Sequence, residues 1–160
     1  MANGIVSQRG YDLKRVAHLY RHVEPYGPDV CVYCGDPANT TDHVTPVSYV
    51  AGLLDVIDHY SHKLRHGLYT VPCCRDCNVR LGRFVGFSIT EKRAELKRRL
   101  RIKHRRLLGR YDWQPEEIAE LGYSLRTYMR RQENERSGVI ARLEFPRPWE
   151  ATLLRSACRV

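Results

Sequence analysis

The chain has 160 residues, enough for one hydrophobic core of ordinary size, and neither a signal-peptide-like apolar run nor a stretch near the roughly 20 apolar residues of a bilayer span, so a soluble, cytoplasmic protein is expected. The formal net charge is +9 and the excess is local: from Glu91 to Arg110, ten Lys/Arg oppose two Glu, a surplus of +8. Such a segment suits a polyanion, and nucleic acid is preferred over a membrane surface because its apolar seam carries no Trp or Phe anchor. Six cysteines in a reducing compartment point to metal ligation rather than to disulfides.

Taken in chain order, Asp12 can cap a helix reaching about His22, with Leu13, Val16, Ala17 and Tyr20 on one stripe before Glu24-Pro25-Tyr26-Gly27-Pro28-Asp29 stops it. Cys31-Val32-Tyr33-Cys34-Gly35-Asp36 follows, its glycine placed for the turn of a metal knuckle, and the run from Thr40 to Val47 alternates like a strand. Ser48 can cap a second helix carrying Val50, Leu53, Leu54, Ile57 and Leu64 on one stripe until Gly67. His59, His62 and His66 near its end read as a solvated face rather than a second metal site. Leu68 to Pro72 predicts a short strand, and a short helix ends near Gly82 or Gly86. Ser88 with Glu91 makes a capping box for the basic helix, whose seam is Ile89, Leu96, Leu100 and Leu107. A last helix starts at Pro115 with Ile118, Leu121, Leu125, Tyr128 and Met129 inward and Gly122 as a weak point; the segment from Ser137 carries no signature.

The chemistry is concentrated in Cys73-Cys74-Arg75-Asp76-Cys77-Asn78. Structural zinc takes four N or S ligands in a tetrahedron, and two Cys-x-x-Cys pairs far apart in sequence supply them. Cys31 and Cys34 are one pair. Cys74 and Cys77 are the other, because adjacent Cys73 and Cys74 cannot easily turn both sulfurs to one ion. Cys73 is then a small apolar residue beside the site. Asp42 and His43 lie on the strand between the pairs and Asn78 directly follows the last ligand, so a metal joining the two segments could bring all three to one point.

Cys31-x-x-Cys34, Asp42-His43 and Cys74-x-x-Cys77-Asn78, in this order, resemble the HNH (ββα-metal, treble-clef-related) nucleases, in particular the phage recombination endonucleases of the endonuclease VII type, over about residues 29 to 84. The resemblance implies an α+β, mainly helical fold in which a small zinc-bound ββα-metal core is flanked by helices. It implies structural Zn²⁺ on Cys31, Cys34, Cys74 and Cys77, a catalytic Mg²⁺ or Mn²⁺ on Asp42 and Asn78, and His43 as general base. Many members carry an asparagine just before the second Cys pair that helps orient the histidine; this chain instead reads Leu68-Tyr69-Thr70-Val71-Pro72.

Phosphodiester hydrolysis needs an activated water and a cation where charge builds on the phosphate. An oxygen-donor pair suits Mg²⁺ or Mn²⁺, and a histidine titrates near neutrality. The expected organisation is an N-terminal helix (1–28), a zinc-bound core with a helical insertion at 48–66 (29–87), the basic helix and its successor (88–136) and an unassigned tail (137–160). Lys92, Arg93, Lys97, Arg98, Arg99, Arg101, Lys103, Arg105 and Arg106 are expected to grip DNA through phosphate contacts, in a bacterial or phage-infected cell. Rival expectations are a zinc-stabilised nucleic-acid-binding module without catalysis, or an interaction subunit of a phage packaging or replication assembly. There is room for a homodimer and for a phage or host protein partner.

Overall fold

A computed structural model describes residues 13–57 and 68–146, with the side chains of 54–57 excepted. Asp12, His59, His62, His66, Leu64, Gly67 and Cys158 lie outside the described residues. Three short strands, β1 (Arg21–His22), β2 (Thr40–His43) and β3 (Tyr69–Cys73), form a sheet in the order β1-β3-β2. β3 runs parallel to β1 and antiparallel to β2, with Thr40 opposite Cys73, Asp42 opposite Val71 and His43 opposite Thr70. Pro72 is tolerated in the middle strand because β1 reaches only to Thr70, so no ladder bond is lost; its carbonyl accepts from Val32 N at 3.1 Å.

After the N-terminal segment, the described residues hold six helices: α1 (Val47–Ile57), α2 (Arg75–Leu81), α3 (Ile89–Lys103), α4 (Arg105–Leu108), α5 (Pro115–Ala119) and α6 (Tyr123–Glu144). The fold is therefore α+β and mainly helical among the described residues, as expected. None of these helices is long and apolar enough to cross a membrane. Ser88 caps α3, its Oγ accepting from Glu91 N at 3.1 Å while the Glu91 carboxylate accepts from Phe87 N at 2.8 Å. Leu96 and Leu100 of α3 are fully buried against Val32, Tyr33, Val44, Val71, Leu81 and the cysteines. A second cluster of Val16, Leu19, Val50, Ala51 and Leu68 packs the N-terminal segment on α1.

Several boundaries differ from expectation. The N-terminal helix stops in a 3-10 turn at Ala17–Leu19, and Arg21–His22 is a strand, because Arg21 N and Val23 N donate to Leu68 and Thr70 carbonyls, both at 3.0 Å. Ser48 lies inside α1 rather than capping it; the first turn closes on the Pro46 carbonyl. The basic segment is broken at His104 into α3 and α4. The helix at Pro115 ends at Ala119, and Gly122 becomes the N-terminal boundary of a separate helix. Leu125 (51% exposed) and Tyr128 (49%) face outward rather than inward among the described residues; the buried apolar residues of this region are Val139 and then Phe145. Residues from Ser137 to Glu144 complete α6.

Candidate metal centre and candidate active site

The sulfurs of Cys31, Cys34, Cys74 and Cys77 lie within 4.8 Å of one another, all buried, and can hold a metal ion such as zinc. Each pair is shaped by its own turn. Gly35 N returns to the Cys31 carbonyl at 3.0 Å and Cys31 N donates to Asp36 O at 2.8 Å, closing a knuckle in which Gly35 takes φ +81°. A Cβ there would also sit 2.7 Å from the Phe145 ring, so glycine is required twice over. Cys74 is the N-cap of α2, and its Sγ accepts from Cys77 N at 3.4 Å. Cys73 is buried outside the set, its thiol donating to the Cys74 carbonyl at 3.2 Å. Hydrogen bonds from Cys34 first, then Cys73, Cys74 and Cys77, hold the Cys31 thiol far below its ordinary value, whereas Cys34 and Cys77 are pushed far up. Four thiols this close cannot all ionise without a cation between them, and all four can ionise once a divalent ion is there.

The far end of α6 clasps this centre. Arg142 Nη2 donates to Asp76 Oδ2 at 2.7 Å and to Cys77 Sγ at 3.4 Å, and Nε lies 3.3 Å from Asp36 Oδ2. One guanidinium thus touches both knuckles and one ligand sulfur. Arg80 joins it on Asp76, whose carboxyl is held down to about 2, mainly by Arg80.

Beside the cysteines opens a cleft of about 780 Å³ lined by Asp42, His43, Asn78, Thr41, Arg75, Arg83 and Lys92, among others. Asp42 and His43 are neighbours on β2, so their side chains leave opposite faces of the strand. Asp42 turns toward α3, and its Oδ2 accepts from Tyr33 Oη at 2.6 Å and from Lys92 Nζ at 2.7 Å. His43 turns toward the N-terminal segment, where the Tyr20 ring meets it edge-on with centroids 4.7 Å apart. Tyr20 is itself tied down by its hydroxyl, which donates to Thr45 O at 2.6 Å. Asn78, one turn into α2, reaches β2 through long contacts to Thr40 Oγ1 (3.4 Å) and Thr41 O (3.5 Å). The three candidate residues therefore border one cavity, two of them with partners not foreseen.

The expected DNA-gripping set divides. Lys92 (1% exposed) and Arg93 (8% exposed) are buried and do not belong to an outer face. Lys92 spans the Asp42 carboxylate and the His43 carbonyl (2.6 Å), and Arg93 donates to Val32 O at 2.6 Å and stacks over Phe145. The Lys92 stem fits because Gly86 is beside it, where a Cβ would lie 2.9 Å from Lys92 Cγ. Arg98 and Arg99 both bond to Glu95, at 2.7 Å and 2.6 Å, and Arg99 also donates to Arg80 O. Lys97 is half-buried, and burial with neighbouring Arg93 and Arg101 lowers its pKa. Arg101, Lys103, Arg105 and Arg106 are exposed.

Sequence reasoning missed Lys92 in its buried role, Tyr33, Tyr20, Arg142 and the two cleft-rim arginines Arg75 and Arg83. The helical period held a signal for one of them. Residue 92 lies four before Leu96 and eight before Leu100, on the stripe that faces the core. In comparison with known proteins, the chain matches no family model, and no curated protein or solved structure matches it significantly.

Proposed function

We propose that the chain is a metal-dependent endonuclease of the HNH type that hydrolyses DNA phosphodiester bonds. The observation that carries this reading is the meeting of Asp42, His43 and Asn78 on one open cleft directly beside a closed, buried four-cysteine centre. Closed sites hold folds, and sites with room for water and substrate do chemistry. Asp42 and Asn78 offer the oxygen donors that suit Mg²⁺ or Mn²⁺, which when bound would stabilise charge on the phosphate as a Lewis acid. His43 takes the proton of the attacking water, and Tyr20 keeps its ring in one plane. Tyr33 and Lys92 keep the Asp42 carboxylate in one orientation. Arg75 and Arg83 hold the DNA backbone at the cleft, with Arg101, Lys103, Arg105 and Arg106 as further phosphate contacts.

A magnesium-dependent nicking assay on supercoiled plasmid tests the reading. The parent should nick, and His43→Ala should lose about 10²–10⁴-fold in rate while keeping its zinc and helicity. Equal nicking by His43→Ala, in a preparation free of contaminating nuclease, would sink it. The second reading is a zinc-stabilised nucleic-acid-binding module without catalysis, favoured by one observation: Asp42 Oδ2 is already engaged by Tyr33 and Lys92. Under that reading a salt-sensitive DNA shift persists and no nicking appears with Mg²⁺ or Mn²⁺.

A further inference from the structure

We infer that the cleft binds the phosphodiester first and takes its divalent cation only together with that anion, and that Lys92 enforces this order. The inference rests on the nuclease reading above and concerns how the same site is filled. The charged side chains lining the cleft are Asp42 against Lys92, Arg75 and Arg83, with His43 the other titratable group; Asn78, Thr41 and Ser48 are neutral. One carboxylate therefore faces three cations.

The Asp42 charge is also not free to act at a distance. Lys92 Nζ sits 2.7 Å from Oδ2 and is almost fully buried, so salt and water screen it far less than a surface lysine. A divalent ion approaching Asp42 meets a carboxylate already neutralised by a fixed ammonium, and the amide of Asn78 adds a dipole but no charge. Lys92 cannot swing away cheaply, since it also donates to the His43 carbonyl at 2.6 Å and its stem is packed against Gly86. A free metal ion thus finds no net anion in the cleft, whereas a phosphate finds the two unneutralised cations, Arg75 and Arg83. The missing negative charge arrives with the DNA. By linkage, DNA must then strengthen metal binding by the same factor as metal strengthens DNA binding.

The test uses Mn²⁺, read by the loss of its free-ion magnetic resonance signal, on full-length zinc-loaded His43→Ala protein so that added duplex stays intact. Mn²⁺ should bind at least about tenfold more tightly with a short duplex present than without it, after subtracting binding to the duplex alone, and the duplex should bind in chelator-free buffer without Mn²⁺ or Mg²⁺. Adding Lys92→Met should let Mn²⁺ bind the free protein about tenfold more tightly and remove most of the dependence on DNA. Should Lys92→Met lose its zinc and fold, Arg75→Gln with Arg83→Gln, both exposed, provides the second arm: weaker duplex binding without added Mn²⁺ or Mg²⁺ and a smaller gain in free-protein Mn²⁺ affinity. Equal Mn²⁺ affinity with and without duplex, in a protein whose His43 parent nicks, overturns the order of filling and leaves the nuclease reading standing. Absence of Mn²⁺ binding under both conditions, with no nicking by the parent, overturns both.

Discussion

The four-cysteine centre and the cleft share α2, yet they treat their polar groups in opposite ways. At the centre all four thiols are buried and face one another, and the surrounding donors, Cys77 N and Arg142, point at sulfur. At the cleft Asp42 is paired, Asn78 is held only by long contacts and arginines line an open wall. The centre spends its ligands on joining the knuckle to α2; the cleft leaves its groups placed but under-coordinated. α2 shows the division most clearly: Cys74 and Cys77 serve the centre, and Asn78, the next residue, serves the cleft.

The largest effects should come from breaking the centre. Cys31→Ser, Cys34→Ser, Cys74→Ser or Cys77→Ser should each give protein that retains no zinc by elemental analysis and has lost its cooperative thermal transition, because metal binding and folding are one equilibrium when the site joins distant segments. Cys73→Ser should keep its zinc, since its sulfur is not among the four that converge. Zinc loss in Cys73→Ser with retention in Cys74→Ser would reverse the assignment.

Next comes the ion pair at the base of the cleft. Lys92→Met leaves the Asp42 carboxylate buried without its cation and should cost about 3–5 kcal/mol in urea unfolding. Asp42→Asn in the same chain removes the orphaned charge and should recover much of that loss, as a double-mutant cycle would show. If Lys92→Met unfolds like the parent, the ammonium is not fixed on Asp42 and the distinction between a paired and an open carboxylate fails.

These two regions were not equally legible in the sequence. The cysteine ligands could be read because a Cys-x-x-Cys gap is local geometry that needs no knowledge of the rest of the chain. Asp42, His43 and Asn78 were legible only through their order relative to those cysteines. Lys92 and Arg93 read as members of the DNA-gripping set when a charge run is summed along the chain rather than around the helix, although they fill the gap in the buried stripe between Ile89 and Leu96. The pairing of Lys92 with Asp42 joins residues far apart in sequence, and no pattern in either neighbourhood announces it. β1 is two residues long, too short for an alternation to be seen, and it exists because β3 offers its edge. Leu125 and Tyr128 fit a helical stripe but stand exposed among the described residues, which periodicity alone cannot tell.

A smaller effect should separate the metal centre from its outer support. Arg142→Gln removes the charge that bridges Asp36, Asp76 and Cys77 without removing a ligand. Partners that donate to a metal ligand typically govern affinity by 10–100-fold, so zinc transfer to a chromogenic chelator should show a loss in that range, with Arg142→Lys between the two. Arg136→Gln, on the same helix as Arg142, breaks a pair with Asp112 of the loop before α5; it is the control and should leave zinc retention unchanged. An Arg142→Gln protein that holds zinc like the parent would show that the cysteines alone set the affinity.

The smallest effects concern the outer arginines of α3 and α4, where the pairing seen in the structure decides which count. Arg98 is exposed but bonds Glu95 through both Nε and Nη2 at 2.7 Å, whereas Arg101, Arg105 and Arg106 have no carboxylate partner among the described residues. A guanidinium already shared with a carboxylate brings little net charge to a phosphate, so it should release few counterions on binding. Plotting log K against log salt for a duplex, Arg101→Gln, Arg105→Gln and Arg106→Gln should each flatten the slope by up to about 0.9 if they touch phosphate. Arg98→Gln should leave the slope unchanged, and Glu95→Gln should steepen it by freeing Arg98 and Arg99 together. Equal slopes for Arg98→Gln and Arg105→Gln would mean that formal charge, not pairing, governs this face. Unchanged slopes throughout would assign the DNA grip to Arg75 and Arg83 at the cleft and leave the outer face as a solvated one.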